Sequence, residues 1–166
     1  MPLQPKHHLP INITGAKEND FAMILGYPGR TNRWMPSGGI AQNVTYAYPA
    51  HVEGAKTGMN KMKKFMSKDE SVNLKYASKY ASTANYWKNR QGMIDALTKA
   101  KTAAAKSNEE AKFNAWANKP ENKEKYGNVI ATINDYYAKT NLKSRHDNYL
   151  SQLVRTASYG VAPYIL

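Results

Sequence analysis

Cysteine is absent from this 166-residue chain. That excludes disulfides and thiolate metal ligation and makes the fold indifferent to the redox state of its compartment. Acidic residues are scarce: 12 Asp and Glu stand against 24 Lys and Arg, a formal charge of +12. Such a surplus attracts nucleic acid, anionic lipid or acidic peptides and by itself selects none of them. Long apolar runs are also missing. No stretch is long enough to span a bilayer, and the opening Met-Pro-Leu-Gln-Pro-Lys-His-His lacks the apolar core of a signal peptide. No membrane partner is expected, and any export signal is expected to lie outside this chain. The histidines, His7, His8, His51 and His146, are dispersed with no acidic cluster beside them, so neither a metal site nor a cofactor is expected.

The 42% of hydrophobic residues suffice for a sizeable core, and their periodicity divides the chain in two. Residues 1–47 hold most of the proline and half of the glycine, and their apolar runs are strand-sized. Leu9–Ile13 and Phe21–Leu25 read as strands, Arg33–Met35 as a third, and the Gly26–Gly29 segment as a tight turn. Two or three strands make no independent core, so these strands are expected to complete a sheet begun outside this chain. From residue 48 the period is helical. Pro49 suits a first turn, and Val52, Ala55, Met59, Met62 and Met66 form a stripe that Gly54 and Gly58 weaken, giving a helix over about 49–66.

The stretch Tyr76-Ala-Ser-Lys-Tyr-Ala-Ser-Thr-Ala-Asn-Tyr-Trp87 sits in a long central helix predicted over about 69–106, opened by a Ser67…Glu70 capping box. Val72, Tyr76, Tyr80, Ala84 and Trp87 share its core face. Ser78, Ser82 and Asn85 occupy a neighbouring row and are poor interior helix formers, which suggests that this row faces something polar. A second capping box, Ser107…Glu110, is expected to open a short helix carrying Phe113 and Trp116 that Pro120 stops. One helix follows through Tyr126, Val129, Ile133 and Tyr137. Another runs through His146, Tyr149, Leu150, Leu153 and Ala157 and ends at Gly160. The fold class is therefore mainly α, α+β overall, with domains at 1–47 (β segment) and 48–166 (antiparallel helices).

Candidate chemistry is thin. Gly26-Tyr-Pro-Gly29-Arg30-Thr31 lacks the lysine of a phosphate loop and the three glycines of a dinucleotide site. Ser37-Gly-Gly39 has no His or Asp at a recognisable spacing and reads as a turn. The lysines are spread around the helices as a solvated surface, so no specific nucleic-acid partner is expected. Asn85 has two readings, a brace to a neighbouring helix or a carbonyl offered to a ligand amine.

FAMILGYPGRTNRWMPS (21–37), followed by LKYASKYASTANYWKNRQG (74–92), resembles the bacterial dipeptidyl-peptidase 7 and 11 family of serine exopeptidases. The resemblance covers nearly the whole chain. It implies a split chymotrypsin-like barrel into which a helical cap is inserted, with residues 1–47 as barrel strands and 48–166 as most of the cap. The family's catalytic His, Asp and Ser have no counterpart here, so no catalytic residue is assigned and the chain is expected to be an inactive fragment. The resemblance implies that Asn85 binds the substrate α-amine; Trp87, one half-turn away, is expected to exclude water from that contact. It also implies the rest of the barrel and a free-N-terminus peptide as partners, room for a homodimer, and a periplasmic or cell-surface location in a Gram-negative bacterium. The alternative from a different class is a stand-alone basic helical binding or scaffold protein.

Overall fold

The computed structural model of the chain describes residues 4–11, 13–23, 25–26, 29 and 31–156. Two units separate, Met1–Asn32 and Arg33–Leu166.

In the first unit the described residues are exposed and none is assigned to a strand. Leu9, Ile11, Ile13, Phe21, Met23 and Leu25 leave 66–92% of their surface uncovered. Asn12 and Ile24 of the expected strands, the centre of the expected turn at 27–28, and the end of the chain with Ala157, Gly160 and the tail lie outside the described residues. A tight turn over Lys17–Asp20 is closed twice: the Asp20 amide donates to the Lys17 carbonyl (3.1 Å), and the Asp20 carboxylate accepts from the Lys17 amide (2.8 Å). Asn19 takes the positive φ of 71° between them, which Asn tolerates well.

The second unit is helical. Its elements are α1 (Ser37–Gln42), a π-helical segment (Asn43–Ala47), α2 (Tyr48–Met66), α3 (Glu70–Lys99), α4 (Thr102–Ala117), α5 (Pro120–Tyr126) and α6 (Val129–Thr156). The first three run on without a break, so the helix begins at Ser37 and not near residue 49, and residues 37–47 do not belong to a β segment. The expected third strand is also corrected, since Arg33 and Trp34 form a turn. Two local features hid the early start. Ser37-Gly-Gly39 looks like a turn, yet it is the first turn of α1, and its glycines admit close neighbours: a Cβ on Gly38 would lie 2.4 Å from the Asn134 Oδ1, and one on Gly39 would lie 2.9 Å from the Tyr137 ring. Pro49, which has no N–H and crowds the carbonyl four residues back, falls inside the helix. The wider π turn just before it accommodates that defect.

This continuous helix carries most of the buried residues: Ile40, Ala47, Tyr48, Ala50, His51, Ala55 and Met62, with Ala117 and Gln152 from α4 and α6. α2 packs against α3 and α6, and α1 against α4 and α6. The α2 stripe is as expected, with Ala55 and Met62 buried and Val52, Met59 and Met66 half-buried. Gly54, which weakens that stripe by propensity, marks its closest approach to α6, because a Cβ there would stand 2.7 Å from the Gln152 Cβ.

α3 starts where expected, with a different cap. Asp69 accepts from the amides of Ser71 (2.8 Å) and Val72 (3.2 Å), while Ser67 closes α2 and bonds back to the Lys64 carbonyl. Val72, Tyr76, Tyr80, Ala84 and Trp87 do form the packed face, all of them half-buried and none fully buried.

The far end of α3 differs. It stops at Lys99, because Lys101 takes a left-handed φ of 50°. α4 then starts at Thr102, leaving Ser107 mid-helix where it cannot cap. Glu110 instead crosses to α1, accepting from the Ser37 amide at 2.5 Å and from the Ser37 hydroxyl at 2.6 Å. The last two expected helices are one, α6, since no Gly or Pro interrupts 129–156. Tyr126 belongs to α5, which Pro120 opens.

Candidate functional site

A cavity of about 580 Å³ opens among α2, α3 and α6 and is lined by ten residues. From α2 comes His51; from α3 come Lys75, Tyr76, Ser78, Lys79, Ser82, Thr83 and Tyr86; from α6 come Gln152 and Arg155. The α3 contribution follows from helix geometry. Positions 75, 79, 82 and 86 recur at spacings of four, three and four, so one side of α3 becomes one wall of the cavity. Ser78 and Ser82 of the predicted polar row are in that wall, and the Thr83 hydroxyl is spent on the Lys79 carbonyl at 2.8 Å.

The floor is a buried polar pair. His51 is 8% exposed and Gln152 4%, and the Gln152 side-chain nitrogen lies 3.0 Å from His51 Nδ1. An amide nitrogen can only donate, so Nδ1 accepts and the imidazole proton sits on Nε2. That N–H is buried with no hydrogen-bond partner, a deficit of about 1–3 kcal/mol. Burial, and then the charges of Arg90 and Arg155, push the His51 pKa below its ordinary value, so the ring is neutral at pH 7. Both arginines also lie over aromatic rings: Arg90 over Tyr48 at 4.7 Å and Arg155 over Tyr86 at 6.0 Å.

Sequence reasoning placed Asn85 correctly on the Ser78/Ser82 row but not in the cavity wall. Asn85 is exposed at the margin of the wall, with no hydrogen bond to another described residue. The brace to a neighbouring helix therefore has no counterpart in the structure. Trp87 is corrected as its shield. Two residues along a helix are about 200° apart; Trp87 is half-buried on the packed face with its indole N–H buried and unpartnered, and Asn85 points away from it.

The cavity itself was missed. By spacing alone Lys75 and Lys79 fit a solvated surface, and His51 is one of four scattered histidines. The available signal was the (i, i+4) lysine pair flanking the serine row. Among the described residues no histidine is hydrogen-bonded to a serine hydroxyl. His146 meets a carboxylate, that of the adjacent Asp147, at 3.4 Å on the surface. The same residues hold no cluster of three metal-binding side chains and no helix long and apolar enough to cross a membrane.

The chain is similar to known proteins along nearly all of its length. It is 57% identical over 95% of its residues to a dipeptidyl-peptidase 7 of Capnocytophaga gingivalis. It is 35% identical over 93% to an Asp/Glu-specific dipeptidyl-peptidase of Flavobacterium psychrophilum, and 34% over 91% to a dipeptidyl-peptidase 7 of Porphyromonas gingivalis. It spans 22%, 22% and 21% of those proteins' lengths. With residues 1–163 matching the family profile described as Peptidase S46, the chain belongs to the peptidase S46 family.

Proposed function

We propose that this chain is the helical cap, with adjoining barrel segment, of a periplasmic or cell-surface serine dipeptidyl peptidase, and that Asn85 helps bind the free α-amine of the peptide substrate. The catalytic residues belong to the remainder of the barrel. The cap limits cleavage to dipeptides by closing over an extended chain whose N-terminus ends at α3. The relatives' names, dipeptidyl-peptidase 7 and Asp/Glu-specific dipeptidyl-peptidase, support the reaction class. The exposed apolar side chains of Leu9, Ile11, Ile13, Phe21, Met23 and Leu25 suit strands that pair with such a barrel.

The observation that carries the role of Asn85 is its exposure, without a hydrogen-bond partner, on a rigid helix beside the Ser78/Ser82 row. An ammonium offers three donors, and an amide carbonyl free of other duties is a fitting acceptor.

The test is Asn85→Ala in the full-length peptidase. A hydrogen bond to a charged group is worth roughly 1.5–3 kcal/mol, so kcat/KM for free-amine dipeptidyl substrates should fall about ten- to a hundredfold. The thermal midpoint should hold, since no other helix depends on this side chain. An unchanged kcat/KM in a folded variant would remove Asn85 from the site.

A further inference from the structure

We propose that the cavity among α2, α3 and α6 is an oxyanion-binding site, taking a phosphate, a sulfate or a carboxylate between Lys75 and Lys79 of α3 and Arg155 of α6. Among the described residues the lining supplies these three cations, four hydroxyls from Tyr76, Ser78, Ser82 and Tyr86, that of Thr83 being held by the Lys79 carbonyl, and no carboxylate. None of the three cations forms an ion pair among the described residues. Lys75 and Lys79 are like charges at (i, i+4), an unfavourable arrangement on a helix, and the fold brings Arg155 to the same cavity. A bound anion relieves that repulsion.

A second observation is independent of the charge. His51, buried at the cavity floor, holds an Nε2–H with no acceptor. The site is distinct from the amine-binding role of Asn85, which calls for an acceptor, and stands whether or not that role is correct.

The experiment is calorimetric titration of the full-length protein with inorganic phosphate, chloride being adjusted to hold ionic strength constant. One saturable site is expected. Lys79→Gln and Arg155→Gln should each weaken it at least tenfold. Lys79→Arg should retain it, and Lys99→Gln, outside the cavity, should leave it unchanged. A parallel titration with an N-acetylated glutamyl peptide, which the amine site cannot take, identifies the source of the anion. Saturation by phosphate assigns a free oxyanion; saturation by the peptide alone, lost in the same variants, assigns a carboxylate carried on a chain. Titrations that do not saturate, or that respond equally to Lys99→Gln and Lys79→Gln, overturn the proposal. Circular dichroism of each variant confirms that the fold is kept.

Discussion

Glu110 ties three helices together, and its removal should be felt more strongly than its half-exposed position suggests. The carboxylate accepts from the Ser37 amide (2.5 Å), the Ser37 hydroxyl (2.6 Å) and the Asn134 side-chain amide (3.2 Å), while the Asn134 carbonyl takes the Gly38 amide (3.2 Å). The group therefore sits at the N-terminus of the Ser37–Met66 helix, where unpaired amides and the helix dipole both favour a negative charge. Hydrogen bonds to a charged acceptor are worth roughly 1.5–3 kcal/mol each, are not additive, and are partly replaced by water at a half-exposed site. Glu110→Ala is expected to cost about 2–3 kcal/mol. For a chain of this size that is a fall of about 5–10 °C in Tm, read by circular dichroism at pH 7. Burial alone would raise the Glu110 pKa, but the hydrogen bonds from Ser37 and Asn134 and the charge of Lys106 outweigh it and hold the pKa below its ordinary 4.5. A depressed carboxylate contributes stability that is complete above the unfolded-state value and lost as pH falls through the folded-state value. The gap between wild type and Glu110→Ala should thus be constant from pH 7 to about 5 and shrink below about 4.5. A Tm within about 1 °C of wild type at pH 7, or a gap that ignores acid, would refute this reasoning.

Two glycines of the same type should respond in opposite directions. Gly54→Ala puts a methyl 2.7 Å from the Gln152 Cβ, an atom no rotamer can move; the resulting strain of about 1–3 kcal/mol should exceed the gain in helix propensity of about 1 kcal/mol and lower Tm. Gly92→Ala meets nothing within 4 Å and should raise stability by about 0.8–1 kcal/mol, measured by urea unfolding of both variants. Lys101→Gly should also stabilise, by about 0.5–1 kcal/mol, because a left-handed φ of 50° at the end of α3 is the conformation glycine adopts without strain. A destabilised Lys101→Gly would show that the lysine side chain contributes more than its backbone costs.

Most helices were legible because their signals are local. The α2 stripe, the start of α3 near Asp69 and the half-buried row from Val72 to Trp87 follow from periodicity and capping. What failed was decided at a distance. Ser37-Gly-Gly39 looks like a turn until α6 lies against it, and Ser107…Glu110 looks like a cap until Ser37 claims the glutamate. Nothing in the spacing of 99–102 announces a left-handed lysine. The cavity was hidden for the same reason: Lys75 and Lys79 form a wall only when Arg155 and His51 arrive from helices 76 or more and 24 or more positions away in sequence.

The place of Asn85 on the Ser78/Ser82 row was legible from helical spacing, and the same spacing, about 200° for two residues, turns it away from Trp87. The separation of Asn85 from the lysines bears on whether one helix can serve two opposite charges. At about 100° per residue, Lys75 and Lys79 stand roughly 80° and 120° around α3 from Asn85. Ser78 and Ser82 lie between, polar but uncharged. An ammonium bound directly among three cations would be disfavoured by every one of them; one bound at Asn85 has neutral hydroxyls between it and those cations, with Lys88 at (i, i+3) as the nearer charge on α3. An anion in the cavity would reduce what repulsion is left. The serine row, a weak helix former by propensity, separates the amine site proposed at Asn85 from the Lys75 and Lys79 side of α3, although not from Lys88 one turn along.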